Sequence, residues 1–351
     1  MKILWWPHTS SNKVASVRLR CFNIINTLKR NGLNVGLYKF GDAPDLIVLS
    51  KRYDDFSVGH VKQLREKYGT KIVLDLCDNH FYSQHKSEFW ESRAAQLREA
   101  ILAADMVIAS SEELAKIIQE EFGELQLNIK VIEDTVESPY YPTIFEKVCH
   151  PIQELKLYSL QKKLARLSKY NVCSLVWFGN YGSENADGGM TDLKLIAENL
   201  NTLNLTCPIS LTVISNNKNK FNEIKKEFNI PIFYLDWASS TFSTALNSHQ
   251  ICTIPIGINP FTKCKTNNRL ATAFLHDVAV ATTIIPSYEP FSEVIVSDDW
   301  NAGLKELAIN KSYRGQLIAN GKKLIFTNWS ISLIAKKWSD MFQSINGDCN
   351  E

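Results

Sequence analysis

The sequence predicts an α/β protein built from two Rossmann-like, doubly wound domains that face each other across a cleft. Three observations carry this prediction. The chain has 351 residues, too many for one ordinary core and suited to two. Short, near-continuous apolar runs alternate with amphipathic helical stretches, the pattern of parallel strands covered on both faces. The alternation breaks once, at about 137–172, and then restarts.

In the first half the strand candidates are "KILWW" (2–6), "VGLYKF" (35–40), "DLIVLS" (45–50), "KIVLDLC" (71–77), "MVIAS" (106–110) and "IKVIED" (129–134). The clearest helix is "SVRLRCFNIINTLKRNG" (16–32). Its apolar positions Val17, Cys21, Ile24, Ile25 and Leu28 recur at helical spacing, and Gly32 stands where a C-terminal stop belongs. The break opens with prolines and closes on the basic stretch "LQKKLARLSK" (160–169), which suits an interdomain crossing over 138–172. Strand candidates then resume with "SLVWFGN" (174–180), "ISLTVIS" (209–215), "IFYLDW" (232–237), "ICTIPI" (251–256) and "VATTII" (280–285). The domains expected are therefore 1–137 and 173–327, with an amphipathic closing helix over 328–345.

Composition narrows the function classes. An apolar fraction of 45% and a charged fraction of 22% are those of a soluble globular protein. A net charge of only +2 gives no overall field to attract nucleic acid, so no nucleic-acid partner is expected. The opening apolar run is too short for a signal peptide, and no run reaches the length of a membrane span. Eight cysteines without a CxxC pair read as reduced thiols, which points to the cytoplasm.

Open α/β sheets bind ligands at the carboxyl ends of their strands, so the motifs at strand ends matter most. "TKCKTNNR" (262–269) puts Lys263, Lys265 and Arg269 within seven residues, with no acid, between a strand and the helix-like run "NRLATAFLH" (268–276). Asn267 or Thr266 can cap that helix. Its unpaired N–H groups and dipole attract anions, and the cations beside it add full charges. A diphosphate seat and a solvated basic loop both fit these residues. "WFGNYGSENADGG" (177–189) follows the first strand of the second half. Gly179 and Gly182 allow close backbone approach, and Asn180 and Ser183 offer side-chain hydrogen bonds. Its spacing matches neither GxGxxG nor the P-loop.

Along most of its length the chain resembles the GT-B glycosyltransferases, and most of all the family-4-like bacterial enzymes that build surface polysaccharides such as lipopolysaccharide or capsule. The segments that carry the resemblance are "SVRLR…LKRNG", "VLDLCDNH", "VIEDTVE", "WFGN", "TFSTALNSHQICTIPI", "KCKTNNRLATAFLHDVAVATTIIPSYE" and the closing helix with Trp338. The resemblance implies a nucleotide-sugar donor held by the second domain and a glycan or lipid-linked acceptor held mainly by the first. It also implies that the last helix packs back on the first domain.

On that basis Lys263, Lys265 and Arg269, with the helix start at Asn267 and Asn268, stabilise the leaving diphosphate, and Gly179 and Asn180 approach from the opposite wall. In "PSYEP" (286–290), Ser287 and Tyr288 donate hydrogen bonds and Glu289 accepts from ribose or sugar hydroxyls; the same residues also make a good turn by themselves. Trp237 stacks on the base or is simply buried. In the first half, Asp78 and His80 end a strand, and a histidine titrating near neutrality can take a proton from a sugar hydroxyl. Asp75 reads as structural. His8 and Ser10 lie in the loop after the first strand, and Arg18 is a better acceptor-side candidate than Arg20, since two residues two apart on a helix face different ways.

One departure stands out. The two glutamates usual in family 4 fall here on Cys264 and Thr272, and Asp277 replaces a usual glycine. The donor and the stereochemical course are therefore open, with retention favoured by resemblance. Neither a metal nor another cofactor is required, because the cations can do a metal's work. A nucleotide-sugar epimerase and a non-catalytic scaffold of the same fold remain alternatives. Transient contact with a membrane surface fits a lipid-linked acceptor, with Trp5, Trp6 and the helix 160–169 as candidates, although both tryptophans fit the first strand better.

Overall fold

The computed structural model describes residues 1–182, 186 and 188–347. The chain divides into two compact units: unit 1 comprises Met1–Glu137, Lys263–Thr266 and Thr327–Glu351, and unit 2 comprises Ser138–Thr262 and Asn267–Phe326.

Unit 1 is a six-stranded sheet of β1 (Ile3–Pro7), β2 (Val35–Leu37), β3 (Leu46–Ser50), β4 (Lys71–Leu76), β5 (Met106–Ala109) and β6 (Ile129–Val131) in the order β2-β1-β3-β4-β5-β6. All pairings are parallel. The chain winds one way from β1 to β2 and the other way from β3 onward, so the switch point lies between β1 and β3. β1 and β3 are buried at every position, which is why they read as continuous apolar runs.

The expected helix 16–32 forms, but not as one regular α-helix. An α-helical turn over Ala15–Val17 leads into a π-helical stretch over Arg18–Phe22 and then an α-helix over Asn23–Arg30. Val17, Cys21, Ile24, Ile25 and Leu28 are all buried, and Gly32 ends the segment with φ 87°. The π-helical stretch turns Arg20 wholly inward. Arg20 donates to Asp75 at 2.9 and 2.6 Å, to Asp134 at 2.9 Å and to the Ile132 carbonyl at 2.9 Å. Ser50 completes the shell of Asp75 at 2.7 Å. The closing helix Ile331–Gly347 lies on the same unit: Trp338 and Phe342 pack on Trp5 with ring centroids 5.6 and 5.5 Å away. Trp5 and Trp6 are therefore core residues, which removes them as membrane candidates.

Unit 2 carries β7 (Cys173–Phe178), β8 (Ile209–Ser215), β9 (Ile232–Asp236), β10 (Ile251–Ile254), β11 (Ala279–Thr282) and the short β12 (Val296–Ser297), which has no counterpart in the expected strands. Their order is β12-β11-β10-β7-β8-β9, again all parallel. The strands run outward from a switch point between β7 and β10, as in dinucleotide-binding folds. Residues 138–172 group with this unit and form the helices Ile144–Val148 and Pro151–Ser168. No helix among the described residues is long and apolar enough to cross a membrane.

Candidate functional site

At the switch point of unit 2, β7 ends on Trp177 and Phe178, and Gly179 follows with φ 157°. A Cβ at Gly179 would lie 3.3 Å from the Trp177 ring and 3.5 Å from Cζ of Arg269. Arg269 lies in the first turn of the helix Asn268–Leu275, which β10 feeds through the loop 255–267. Its guanidinium sits over the Trp177 ring, 5.0 Å from the centroid, and 5.8 Å from that of Phe178. Nε and Nη2 of Arg269 are shielded from solvent, yet neither has a hydrogen-bond partner. A guanidinium without partners for its donors is costly to bury unless something else fills its fork. The glycine loop folds tightly beside it: a Cβ at Gly189 would come 2.8 Å from the carbonyl oxygen of Asn180. Asn180 is exposed and its Oδ1 accepts from the Tyr181 amide at 2.8 Å. Ser183 lies outside the described residues.

The three cations of "TKCKTNNR" are divided between the units, Lys263 and Lys265 in unit 1 and Arg269 in unit 2. Lys263 is exposed in the 3₁₀ turn Thr262–Cys264. Lys265 pairs with Asp78. Arg269 lies beside the glycine turn. The expected cap is also corrected. Asn267 has φ −74° and ψ 8° and makes no side-chain cap, because that conformation is not the extended one a cap needs. Thr266 instead donates to Asp134 at 2.8 Å. Asn268 heads the helix and its carbonyl accepts from Thr272 at 2.8 Å.

Other expected donor contacts divide. Trp237 is half-buried just after β9, tilted against Phe242 at 6.2 Å. Ser287 is half-buried and Glu289 exposed in the 3₁₀ helix Pro286–Phe291. Tyr288 is 1% exposed, and burial pushes its phenol up to about 12, so it is a core residue rather than a ligand donor. Cys264 is fully buried. Asp277 has φ 60°, which explains why glycine suits that position, and it pairs with Lys322 at 2.6 Å.

At the switch point of unit 1, the strand ends bring together a denser polar cluster. His8 follows β1, Lys51 follows β3, and Asp78 and His80 follow β4. Lys51 and Lys265 each pair with one oxygen of Asp78. Burial alone would raise the Asp78 carboxyl, but Lys265 and Lys51 more than offset this and hold it well below the usual carboxylate range. Lys51 has φ 50°, a left-handed conformation that costs a non-glycine residue roughly 1–2 kcal/mol. Strain of this kind concentrates at functional sites. Tyr53 shares a 2.5 Å hydrogen bond with Nδ1 of His80, and Arg93 lies 4.9 Å over the Tyr53 ring with its Nε buried and unpartnered.

His80 does not titrate near neutrality as expected. Burial pushes its imidazole down to about 3, and Lys51, Arg93 and Lys265 add to this against the opposing effect of Asp78. It stays neutral at physiological pH and is suited to hydrogen bonding rather than to taking a proton. His8 and Ser10 are exposed at the rim. Arg18 clamps Glu137 at 2.9 Å and donates to the Asn12 carbonyl at 3.0 Å. Sequence reasoning missed Lys51, Tyr53 and Arg93. The signal available was the position of Lys51 directly after the apolar run "DLIVLS". Among the described residues, no group of three or more His, Cys, Asp or Glu side chains gathers to hold a metal ion.

No family model and no curated protein matches the chain. Solved structures do. One from E. coli, described as trehalose-6-phosphate bound with UDP-2-fluoro glucose, superposes with a TM-score of 0.60 at 11% identity, covering 91% of this chain and 76% of that one. S. aureus TarM with UDP, fondaparinux and α-GlcNAc-glycerol gives 0.56 at 13% identity, over 85% of this chain and 55% of that one. The pneumococcal O-GlcNAc transferase GtfA with UDP and GlcNAc gives 0.51 at 12% identity, over 86% and 56%. At these identities the likeness is one of fold: two Rossmann-like α/β units of the GT-B type.

Proposed function

We propose that the protein is a nucleotide-sugar-dependent glycosyltransferase that moves a sugar to a hydroxyl of a glycan or lipid-linked glycan, in a reducing compartment and in the service of surface polysaccharide synthesis. The observation that carries this reading is Arg269: an arginine with two buried, unpartnered donors, on the first turn of an uncapped helix, against a glycine turn at a sheet switch point. A diphosphate would fill the guanidinium fork and meet the helix N–H groups. As the donor bond breaks, negative charge grows on the leaving nucleoside diphosphate. Arg269 offsets that charge, and losing one such contact typically costs about 2–4 kcal/mol in the transition state. Trp237 and Ser287 offer further donor contacts beside the strand ends.

In this reading the acceptor is held at the carboxyl end of the unit 1 sheet. Lys51, Asp78 and Lys265 orient its hydroxyls and neutral His80 hydrogen-bonds to it. Retention of the anomeric configuration rests on family resemblance, and NMR of the first-formed product would read it. The residues proposed for the donor need no metal.

Several structural neighbours hold UDP or a UDP derivative, so UDP is the first ligand to test. Calorimetric titration should show UDP binding that falls by about 30-fold or more in Arg269→Ala, the loss of a charged hydrogen-bond donor pair, and less in Arg269→Lys. Absence of binding to any nucleoside diphosphate, or an Arg269→Ala variant that binds like the wild type, would sink the proposal.

A further inference from the structure

Residues 144–169 form an amphipathic surface that neither switch point uses. The helix Ile144–Val148 has no buried residue at all. Its single acid, Glu146, is turned back into a capping box with Thr143. The next helix, Pro151–Ser168, buries Leu157, Leu160 and Leu164 on one side. Its opposite side carries Ile152, Leu155 and Tyr158 in the first half and Lys162 and Arg166 in the second. The exposed apolar side chains run from 55% accessible at Tyr158 to 83% at Ile144, with Phe145 at 79% and Leu155 at 67%. Leu205 and Ile309, by contrast, are exposed apolar residues of the scattered kind every soluble surface shows. Six large apolar side chains exposed along two successive helices mark an interaction surface.

Charge identifies the partner. Over 144–169 there are six lysines and arginines against two glutamates, an excess of four in a chain whose total is +2. Lys156 is taken by Asp236 and Lys163 lies over Phe233; Lys147, Lys162 and Arg166 are exposed beside the apolar residues, Lys162 lying over the Tyr158 ring at 4.6 Å. A second copy of the same surface would oppose these cations to their own kind, which disfavours self-association through it. Apolar side chains flanked by cations, on a helix lying along the surface, match an anionic lipid interface: the first enter the acyl boundary while the second meet the headgroups. We propose that the helices Ile144–Val148 and Pro151–Ser168 dock the protein on an anionic membrane surface. This stands independently of the transferase reading, since it needs no donor and no acceptor.

Flotation of the full chain with vesicles tests it. Vesicles of phosphatidylcholine mixed with phosphatidylglycerol should carry the wild type, and vesicles of phosphatidylcholine alone should not. Ile152→Ser with Leu155→Ser should lower partitioning tenfold or more. Lys162→Gln and Arg166→Gln should lower it about fivefold each at low salt. All four residues are exposed, so circular dichroism and UDP titration should match the wild type, which separates a failure of docking from a failure of the donor reading. The proposal is overturned if the wild type ignores both vesicles, if the variants partition as it does, or if gel filtration shows a dimer that the Ile152→Ser, Leu155→Ser variant converts to a monomer.

Discussion

Arg269 and Gly179 show how far single residues can be read. Both were legible, because a glycine directly after one strand and a cation at the next helix start are the groups a phosphate-binding turn uses. That a Cβ at Gly179 would lie 3.5 Å from Cζ of Arg269 is a product of the fold. Gly179→Ala should be harmful for a local reason: its φ of 157° is uncomfortable for a side chain, and the new methyl would meet the Trp177 ring that supports Arg269. We expect UDP affinity to drop by about tenfold and the melting temperature to fall, since overpacking by one methyl typically costs roughly 1–3 kcal/mol; unchanged UDP titration would refute this. The residues that sequence missed share a cause. Lys51, Tyr53 and Arg93 gain meaning only by meeting Asp78 and His80, and no spacing along the chain announces those meetings. Lys263 and Lys265 fall in one unit and Arg269 in the other for the converse reason. A 3₁₀ turn followed by a helix start sends neighbours in sequence to different partners.

At the scale of elements, two packing contacts hold the site's supports in place. The helix that presents Arg269 is pinned by Phe274, which lies against Gly321 in the helix Lys311–Asn328. A Cβ at Gly321 would come 2.8 Å from that ring. Gly321→Ala should therefore destabilise the protein by about 1–3 kcal/mol and weaken UDP binding, both visible in a melt with and without UDP. The closing helix is fixed to unit 1 through Trp338. Trp338→Ala should cost about 3–5 kcal/mol in chemical denaturation without changing UDP affinity, because the lost contacts lie in the other unit. The helix-like run 268–276 and the closing helix were legible from periodicity, whereas the helix Lys311–Asn328 was not among the expected elements. The π-helical stretch over Arg18–Phe22 was not legible either, and it decides that Arg20 rather than Arg18 enters the core. The missed strand β12 is only two residues long, too short for alternation to register.

For the whole molecule, buried histidines set the acid limit of stability. His249 is buried, bonded to the Ala245 carbonyl and to Thr212, each at 2.7 Å, and burial pushes it down to about 4. His80 is pushed down to about 3. Both must stay neutral in the folded state, while the unfolded chain binds their protons near pH 6.5. Stability therefore falls as pH drops below the unfolded value and keeps falling to the folded values; above it these groups have no effect. The Asp78 carboxyl adds an acid loss of its own, since its depressed value stabilises only while it is ionised. At roughly 1.4 kcal/mol per pKa unit, His249 alone contributes on the order of 3 kcal/mol. Melting temperatures should be flat from about pH 8 to about pH 7 and fall steeply below about pH 6, with a shallower fall in His249→Gln. An equal slope in that variant would show that His249 is not one of the controlling groups.

By itself the sequence determined two parallel α/β units, eleven of their twelve strands and the most strongly periodic helices, because strands buried on both faces must be apolar along their length and helices on a sheet must be apolar at their own period. It also pointed to the strand ends where chemistry belongs. Which side chains meet there was decided by tertiary structure alone. Hydrogen bonds, ion pairs and burial join residues far apart in the chain, as Asp78 joins Lys51 and Lys265, and the ionisation of a group such as His80 follows from the water and charge around it rather than from its neighbours in sequence.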